Sequence, residues 1–194
     1  MNSSNNIKTI SNQTNITNPL IWIDLELTGL NEKKDQIIEI AIIVSDSQLT
    51  KIYEGPSFII NCPDKLLEEM DPWCTKTHSE SGLTDKVKQS KISLEQAEKD
   101  VLDFIKCLNI KENTGILAGN SIHMDKIFLM KDMPNIIKYL HYRIFDVTSI
   151  KIICQNFYPD VFSNMPKKKL CHRAVDDIKE SIEEMRYYLK NIFK

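Results

Sequence analysis

Three groups of residues have the types and spacing to bind hard cations or move a proton. The first is Asp24 and Glu26 within Leu20-Ile21-Trp22-Ile23-Asp24-Leu25-Glu26-Leu27, a β-rich run that ends at Thr28-Gly29. Alternate residues of a strand share a face, so the two carboxylates project together while Ile23, Leu25 and Leu27 project the other way. One pleat apart, they can offer oxygen ligands to hard cations. Such a pair alone equally describes a solvated polar face, so further ligands must come from elsewhere in the chain. Asp125 is the second candidate. It closes Ala118-Gly119-Asn120-Ser121-Ile122-His123-Met124-Asp125, a small polar turn running from a strand end into a helix, where functional groups are often built. By itself an aspartate there also suits the positive end of a helix. The third group is Cys171-His172-Arg173-Ala174-Val175-Asp176-Asp177, at the start of the last helix. A histidine side chain titrates near neutrality and suits general-base work. Cys171 next to His172 does not suggest a thiol nucleophile, because adjacent residues seldom face one another as nucleophile and base. Periodicity does not choose between Asp176 and Asp177.

Positioning these groups takes a sheet and the helices that cover it. Gln36 to Val44 carries Ile37, Ile38, Ile40, Ala41, Ile42, Ile43 and Val44, which suits a strand covered on both faces. Tyr53 to Ile60 follows as a third strand, and the short polar turns between these runs predict an antiparallel meander. Ser93-Leu94-Glu95-Gln96 has capping-box spacing ahead of a helical stripe of Ala97, Val101, Leu102, Phe104, Ile105 and Leu108. A short strand at Gly115 to Gly119, a helix at Asp125 to Met130, a fifth strand at Arg143 to Val147 and a helix at Val147 to Phe157 come next. In the last helix Ala174, Ile178, Ile182, Met185 and Leu189 recur at steps of three and four. The expected architecture is α/β: a mixed five-stranded sheet, its first three strands antiparallel, flanked by helices.

The chain of 194 residues, 42% hydrophobic and 27% charged, suits one globular domain, expected over residues 19–194. No run approaches the roughly 18 apolar residues of a membrane-spanning helix. With a formal net charge of −2, a broad electropositive face for gripping a long polyanion is not expected. The five cysteines are scattered without a C-x-x-C pair, as suits reduced thiols inside a cell. Residues 1–18 are rich in Asn, Ser and Thr and are expected to be a disordered tail. That tail is acid-free, as mitochondrial presequences are, but it has one lysine, no arginine and no amphipathic face, so the cytoplasm is the expected compartment, with mitochondrial import the alternative.

Taken in order, D-x-E in the first strand, an aspartate after a mid-chain strand and H-x-x-x-x-D at the last helix resemble the DEDDh exonucleases. Trp22-Ile23-Asp24-Leu25-Glu26-Leu27-Thr28-Gly29-Leu30, Gly119-Asn120-Ser121, His141-Tyr142-Arg143 and His172-Arg173-Ala174-Val175-Asp176-Asp177-Ile178 look like oligoribonuclease, and the likeness spans Asn18 to Lys194. It implies a ribonuclease H-like exonuclease fold and 3′-to-5′ hydrolysis of very short RNA to 5′-mononucleotides. It also implies two divalent cations, Mg²⁺ or Mn²⁺, on Asp24, Glu26, Asp125 and Asp177, with His172 as general base. The family spacing of four residues after the histidine selects Asp177 over Asp176.

By the same resemblance Leu30 and Trp73 pack against bases, and His78 and Ser121 help hold the 3′ nucleotide. Tyr142 and Arg143 of a homodimer reach the partner's site and cap the 5′ phosphate. From the residues alone, Trp73 is as readily a core tryptophan, and Lys167-Lys168-Lys169 is a solvated charge run. Pro72 before Trp73 departs from the family pattern. The competing readings are a related exonuclease for longer RNA or DNA and an RNA-end-binding module that does not cleave.

Overall fold

In the computed structural model the described residues are 16–166 and 173–193. The expectations for the tail, for the lysine run and for His172 fall wholly or mostly outside them. Ile16, within the stretch expected to be tail, packs against the core.

Three strands open the fold: β1 (Leu20–Leu27), β2 (Ile37–Ser45) and β3 (Ile52–Ile59). With β4 (Ile116–Gly119) and β5 (His141–Asp146) they form one sheet in the order β3-β2-β1-β4-β5. The first three strands pair antiparallel, whereas β4 lies parallel to β1 and β5 parallel to β4. This is the mixed five-stranded sheet expected. β2 is buried along its whole length, because Ile40, Ile42 and Val44 enter one core cluster and Ala41 and Ile43 the other. An apolar run without polar alternation is what a strand covered on both faces requires.

Between β3 and β4 lie α1 (Asp64–Glu68), α2 (Pro72–Glu80), α3 (Leu83–Gln89) and α4 (Leu94–Cys107). Ser93 caps α4 by accepting from the Gln96 N–H at 3.2 Å. Its Ala97, Val101 and Ile105 pack beneath one face of the sheet. On that same face lie Phe128 and Leu129 of α5 (His123–Asp132) and Ile136 of α6 (Pro134–Tyr139). The opposite face is covered by α7 (Val147–Phe157) and α9 (Ala174–Asn191), with the short α8 (Pro159–Ser163) beside α7. Ala174, Ile178, Ile182 and Met185 of α9 pack on Trp22, Ala41 and Ile43. Trp22 is fully buried there, and its indole N–H donates to Ser45 Oγ at 2.8 Å.

Several boundaries differ by one or two residues from those expected, and both ends of β5 move. β5 starts two residues earlier, where the His141 N–H donates to the Gly115 carbonyl. It ends at Asp146, whose carboxylate accepts from the Thr148 N–H and so starts α7. The helices α1, α2, α3, α6 and α8 were not anticipated. They run from five to nine residues, too short for a period to emerge from the sequence. In α2 the departure at Pro72 finds its reason. Asp71 is the cap, accepting from Cys74 N–H at 2.8 Å, and Pro72 takes the first helical position, where its missing N–H costs nothing.

Candidate active site

The side-chain direction in β1 follows the period of two. Asp24 and Glu26 lie on the Trp22 face, the one covered by α9, while Ile21, Ile23 and Leu25 enter the opposite core. The first turn of α9 crosses this face, with the Asp177 N–H donating to the Arg173 carbonyl at 3.0 Å. Here the two distant motifs meet: ligand oxygens of Asp24, Glu26 and Asp177 all lie within 4.8 Å of one another. Asp176, its neighbour, is exposed. The helix rotation thus supplies the choice that sequence periodicity left open.

Asp125 approaches from α5. β4 pairs with β1 only from Leu20 to Trp22, so the Leu25 N–H lies beyond the end of that ladder. Asp125 Oδ1 accepts it at 3.1 Å. Asp125 is not one of the three carboxylates that fall within a single ion's reach, but its charge acts on Asp24.

Packing four acids together has an electrostatic cost. Burial, then repulsion from Asp125, Glu26 and Asp177, holds the Asp24 carboxyl well above the usual range. Burial, then Glu39 and Asp177, pushes Glu26 up to about 7, with Arg173 opposing. Burial also takes Asp125 to about 7, against the hydrogen bond from Leu25. Mutual repulsion in a half-buried place is relieved by protons or by cations. The donors are all carboxylate oxygens, which fit hard divalent ions rather than soft ones.

Beside the carboxylates a cleft of about 400 Å³ is lined by Glu26, Leu30, Trp73, Cys74 and His78 among others. Trp73 is 61% exposed and Leu30 71%, so neither belongs to the core. Leu30 is carried by a loop that Asp35 closes, accepting from the Thr28 hydroxyl and the Asn31 N–H. Gly29 lies so close to the Asp35 carboxylate that any side chain there would collide with it. His78 is buried, its Nε2 donating to the Leu27 carbonyl at 2.9 Å and its Nδ1 3.9 Å from Glu26 Oε2.

Ser121 does not line that cleft. It turns the chain after β4 with φ of 50°, and its N–H donates to Asp146 Oδ1 and Thr148 Oγ1, both at 2.9 Å. Tyr142 and Arg143 are exposed on the edge strand β5, two strands from β1 and hence roughly 10 Å away by ordinary strand spacing. The Arg143 guanidinium stacks over the Tyr142 ring at 5.4 Å. Nothing in the sequence reading singled out Glu39. It is the lone acid in the apolar β2 run, it stands opposite Glu26 in the β1–β2 register, and it is 1% exposed. That one charge in a doubly buried strand was the available signal.

Against known proteins, the profile of the exonuclease family RNase_T matches residues 21–185. The mitochondrial oligoribonuclease of Homo sapiens is 50% identical over 175 residues, covering 90% of this chain and 73% of that one. The chain belongs to the oligoribonuclease family. The oligoribonuclease of Marinobacter nauticus agrees, at 47% identity over 90% of this chain and 96% of its own. Membership makes the chain a nuclease of the metal-dependent exonuclease family, in keeping with its carboxylate cluster. Among solved structures, Escherichia coli exonuclease I with a bound dT oligonucleotide superimposes with a TM-score of 0.69. At 14% identity that likeness concerns the fold alone, and this chain spans only 41% of that one. Among the described residues no helix is long and apolar enough to cross a membrane.

Proposed function

We propose that this chain hydrolyses very short RNA oligonucleotides from the 3′ end to 5′-mononucleotides. The observation that carries the reading is the meeting of Asp24, Glu26 and Asp177 beside a cleft walled by an exposed tryptophan and leucine, in a chain of the oligoribonuclease family. Asp24, Glu26, Asp125 and Asp177 would hold two divalent cations, Mg²⁺ or Mn²⁺. When bound, such ions offset charge on the phosphate and lower the pKa of water.

The chain's own residues do the rest. Trp73 and Leu30 hold the terminal bases by stacking and apolar contact, which any base satisfies. Water attacks the phosphorus of the last phosphodiester as His172 takes its proton, and the bond to the 3′ oxygen of the preceding sugar breaks. That oxygen takes a proton from solvent, leaving the shortened RNA with a free 3′ hydroxyl. Ser121, from the turn after β4 outside that cleft, would reach the sugar and phosphate of the 3′ nucleotide, which His78 also supports. His78 does so through Glu26 and Leu27, since its ring lies buried against them.

Short substrates fit a balanced surface charge, since a long polyanion would call for many phosphate contacts. A homodimer would complete the site. Tyr142 and Ile144 on the open edge of β5, and Ile152, Ile153 and Phe157 on α7, are exposed apolar side chains that a second copy could cover. Tyr142 and Arg143 would then cap the 5′ phosphate in the partner's cleft, where arginine offers paired donors. The names of the mammalian relatives favour action inside mitochondria or elsewhere in the cell.

The test is a 5′-labelled diribonucleotide and a twenty-nucleotide RNA, each incubated with the protein in Mn²⁺ or chelator, beside Asp24→Ala. Rapid Mn²⁺-dependent release of mononucleotide from the dinucleotide, absent in the variant, is expected. Preference for the long RNA would overturn the substrate assignment, and binding without turnover would overturn the enzyme itself.

A further inference from the structure

Glu39 is an anomaly in its own strand. Around it Ile37, Ile38, Ile40 and Ala41 are completely buried, and an apolar residue would suit the place. Instead the chain buries a fifth carboxylate directly across the ladder from Glu26, adding repulsion to a centre already crowded with acids. Replacing a buried ion pair by apolar groups is often neutral or stabilising, so stability alone does not account for the acid.

What faces Glu39 is Arg173, whose Nε lies 3.7 Å from Glu39 Oε1. Among the described residues neither Glu39 Oε2 nor Arg173 Nε has a hydrogen-bond partner, and Arg173 is the foremost cation acting on this carboxylate, ahead of Lys86. Arg173 in turn is the residue from which α9 springs. Its carbonyl accepts from the N–H groups of Asp176 and Asp177, at 2.9 and 3.0 Å. Its side chain makes no capping hydrogen bond to the helix. Besides the packing of Ala174 and Ile178 on the sheet, the start of this 18-residue helix is tied to β2 by a side chain reaching sideways. One turn on, Asp177 must bring its oxygen within 4.8 Å of those of Asp24 and Glu26.

We infer that Glu39 and Arg173 are positioning residues: the buried Glu39 carboxylate holds the Arg173 guanidinium, fixes the first turn of α9 on the sheet, and so places the Asp177 carboxylate against Asp24 and Glu26. Rotating the first turn of α9 by one residue would bring the exposed Asp176 toward the cluster and turn Asp177 away. This inference rests on the reading of the carboxylates as a cation site.

The experiment uses the full chain and the variants Glu39→Gln, Arg173→Met, Arg173→Lys and the double variant Glu39→Gln/Arg173→Met. Mn²⁺ affinity is measured by titration calorimetry, kcat and KM on the diribonucleotide, and thermal midpoint in chelator. Groups that orient metal ligands typically change affinity or activity by about 10–100-fold when removed. Falls of that size in Mn²⁺ affinity and kcat are expected for Glu39→Gln and Arg173→Met, with KM for the dinucleotide unchanged. Arg173→Lys, which keeps the cation, should retain part of both. The double variant leaves no buried charge uncompensated, so it should regain thermal stability without regaining kcat or Mn²⁺ affinity.

Recovery of all three in the double variant would show a merely structural pair and overturn the inference. So would wild-type Mn²⁺ affinity and kcat in Glu39→Gln. A wild-type protein that binds Mn²⁺ but leaves the dinucleotide intact would defeat the exoribonuclease reading instead, and the calorimetric comparison would still decide this one.

Discussion

Replacing Glu26 by glutamine should disable the enzyme and stabilise the metal-free protein. In that state burial and the carboxylates around it push Glu26 from 4.5 up to about 7. The folded state therefore holds this proton more tightly than the unfolded chain does. A group with a raised carboxyl pKa favours folding fully below about 4.5, loses that contribution as pH climbs to about 7, and above that leaves a constant penalty. A shift of roughly 2.5 units at about 1.36 kcal/mol each makes this penalty up to about 3 kcal/mol at pH 8. For a chain of this size 1 kcal/mol moves the thermal midpoint by roughly 2–4 °C, so Glu26→Gln should melt roughly 6–12 °C higher in chelator at pH 8. At pH 4.5 the gap should close, since wild-type Glu26 is then protonated in the fold. Mn²⁺ at a hundred times its Kd should stabilise the wild type by about 2.7 kcal/mol and narrow the gap at pH 8. Scanning calorimetry at both pH values, with chelator or Mn²⁺, measures each of these. A variant that melts at or below the wild type at pH 8 in chelator would refute the reasoning, because the carboxylates would not be repelling one another.

The remaining expectations concern other parts of the site. Asp177→Asn should abolish Mn²⁺-dependent cleavage while Asp176→Asn, on the exposed side of α9, leaves kcat near wild type; the reverse would reject the ligand assignment. Trp73→Ala should raise KM for the diribonucleotide roughly tenfold, because stacking on an aromatic ring is worth about 1–3 kcal/mol per base. Its thermal midpoint should barely move, since the ring is 61% exposed, and a large drop would return Trp73 to a packing role. Phe157→Glu, on the exposed side of α7, should convert a dimer to a monomer by sedimentation and lower dinucleotide turnover with it. A wild-type chain that sediments as a fully active monomer would remove the partner-capping reading of Tyr142 and Arg143.

What was legible in the sequence was whatever local geometry dictates. A period of two set Asp24 and Glu26 on one face of β1, a period of three to four set the buried stripe of α9, and Ser93 marked the start of α4. These depend on backbone geometry and nearest neighbours, so they survive without knowledge of the rest of the chain. The short helices did not, because α2 announces itself only through the Asp71 cap and Pro72.

Contacts between residues far apart in the chain were out of reach of spacing alone. The choice of Asp177 over Asp176 depends on how α9 is rotated against the sheet. The seat of Asp125 depends on β4 ending before it can take the Leu25 N–H. The exposure of Trp73 depends on where α2 sits, and the pairing of Glu39 with Arg173 on β2 lying under the start of α9. The sequence by itself determined which carboxylates are present and which face of its element each one takes. Only the tertiary structure decided which faces meet, because burying apolar area without directional preference brings the elements together, and polar contacts formed there, such as Leu25 N–H to Asp125 and Glu39 to Arg173, then set how the acids lie.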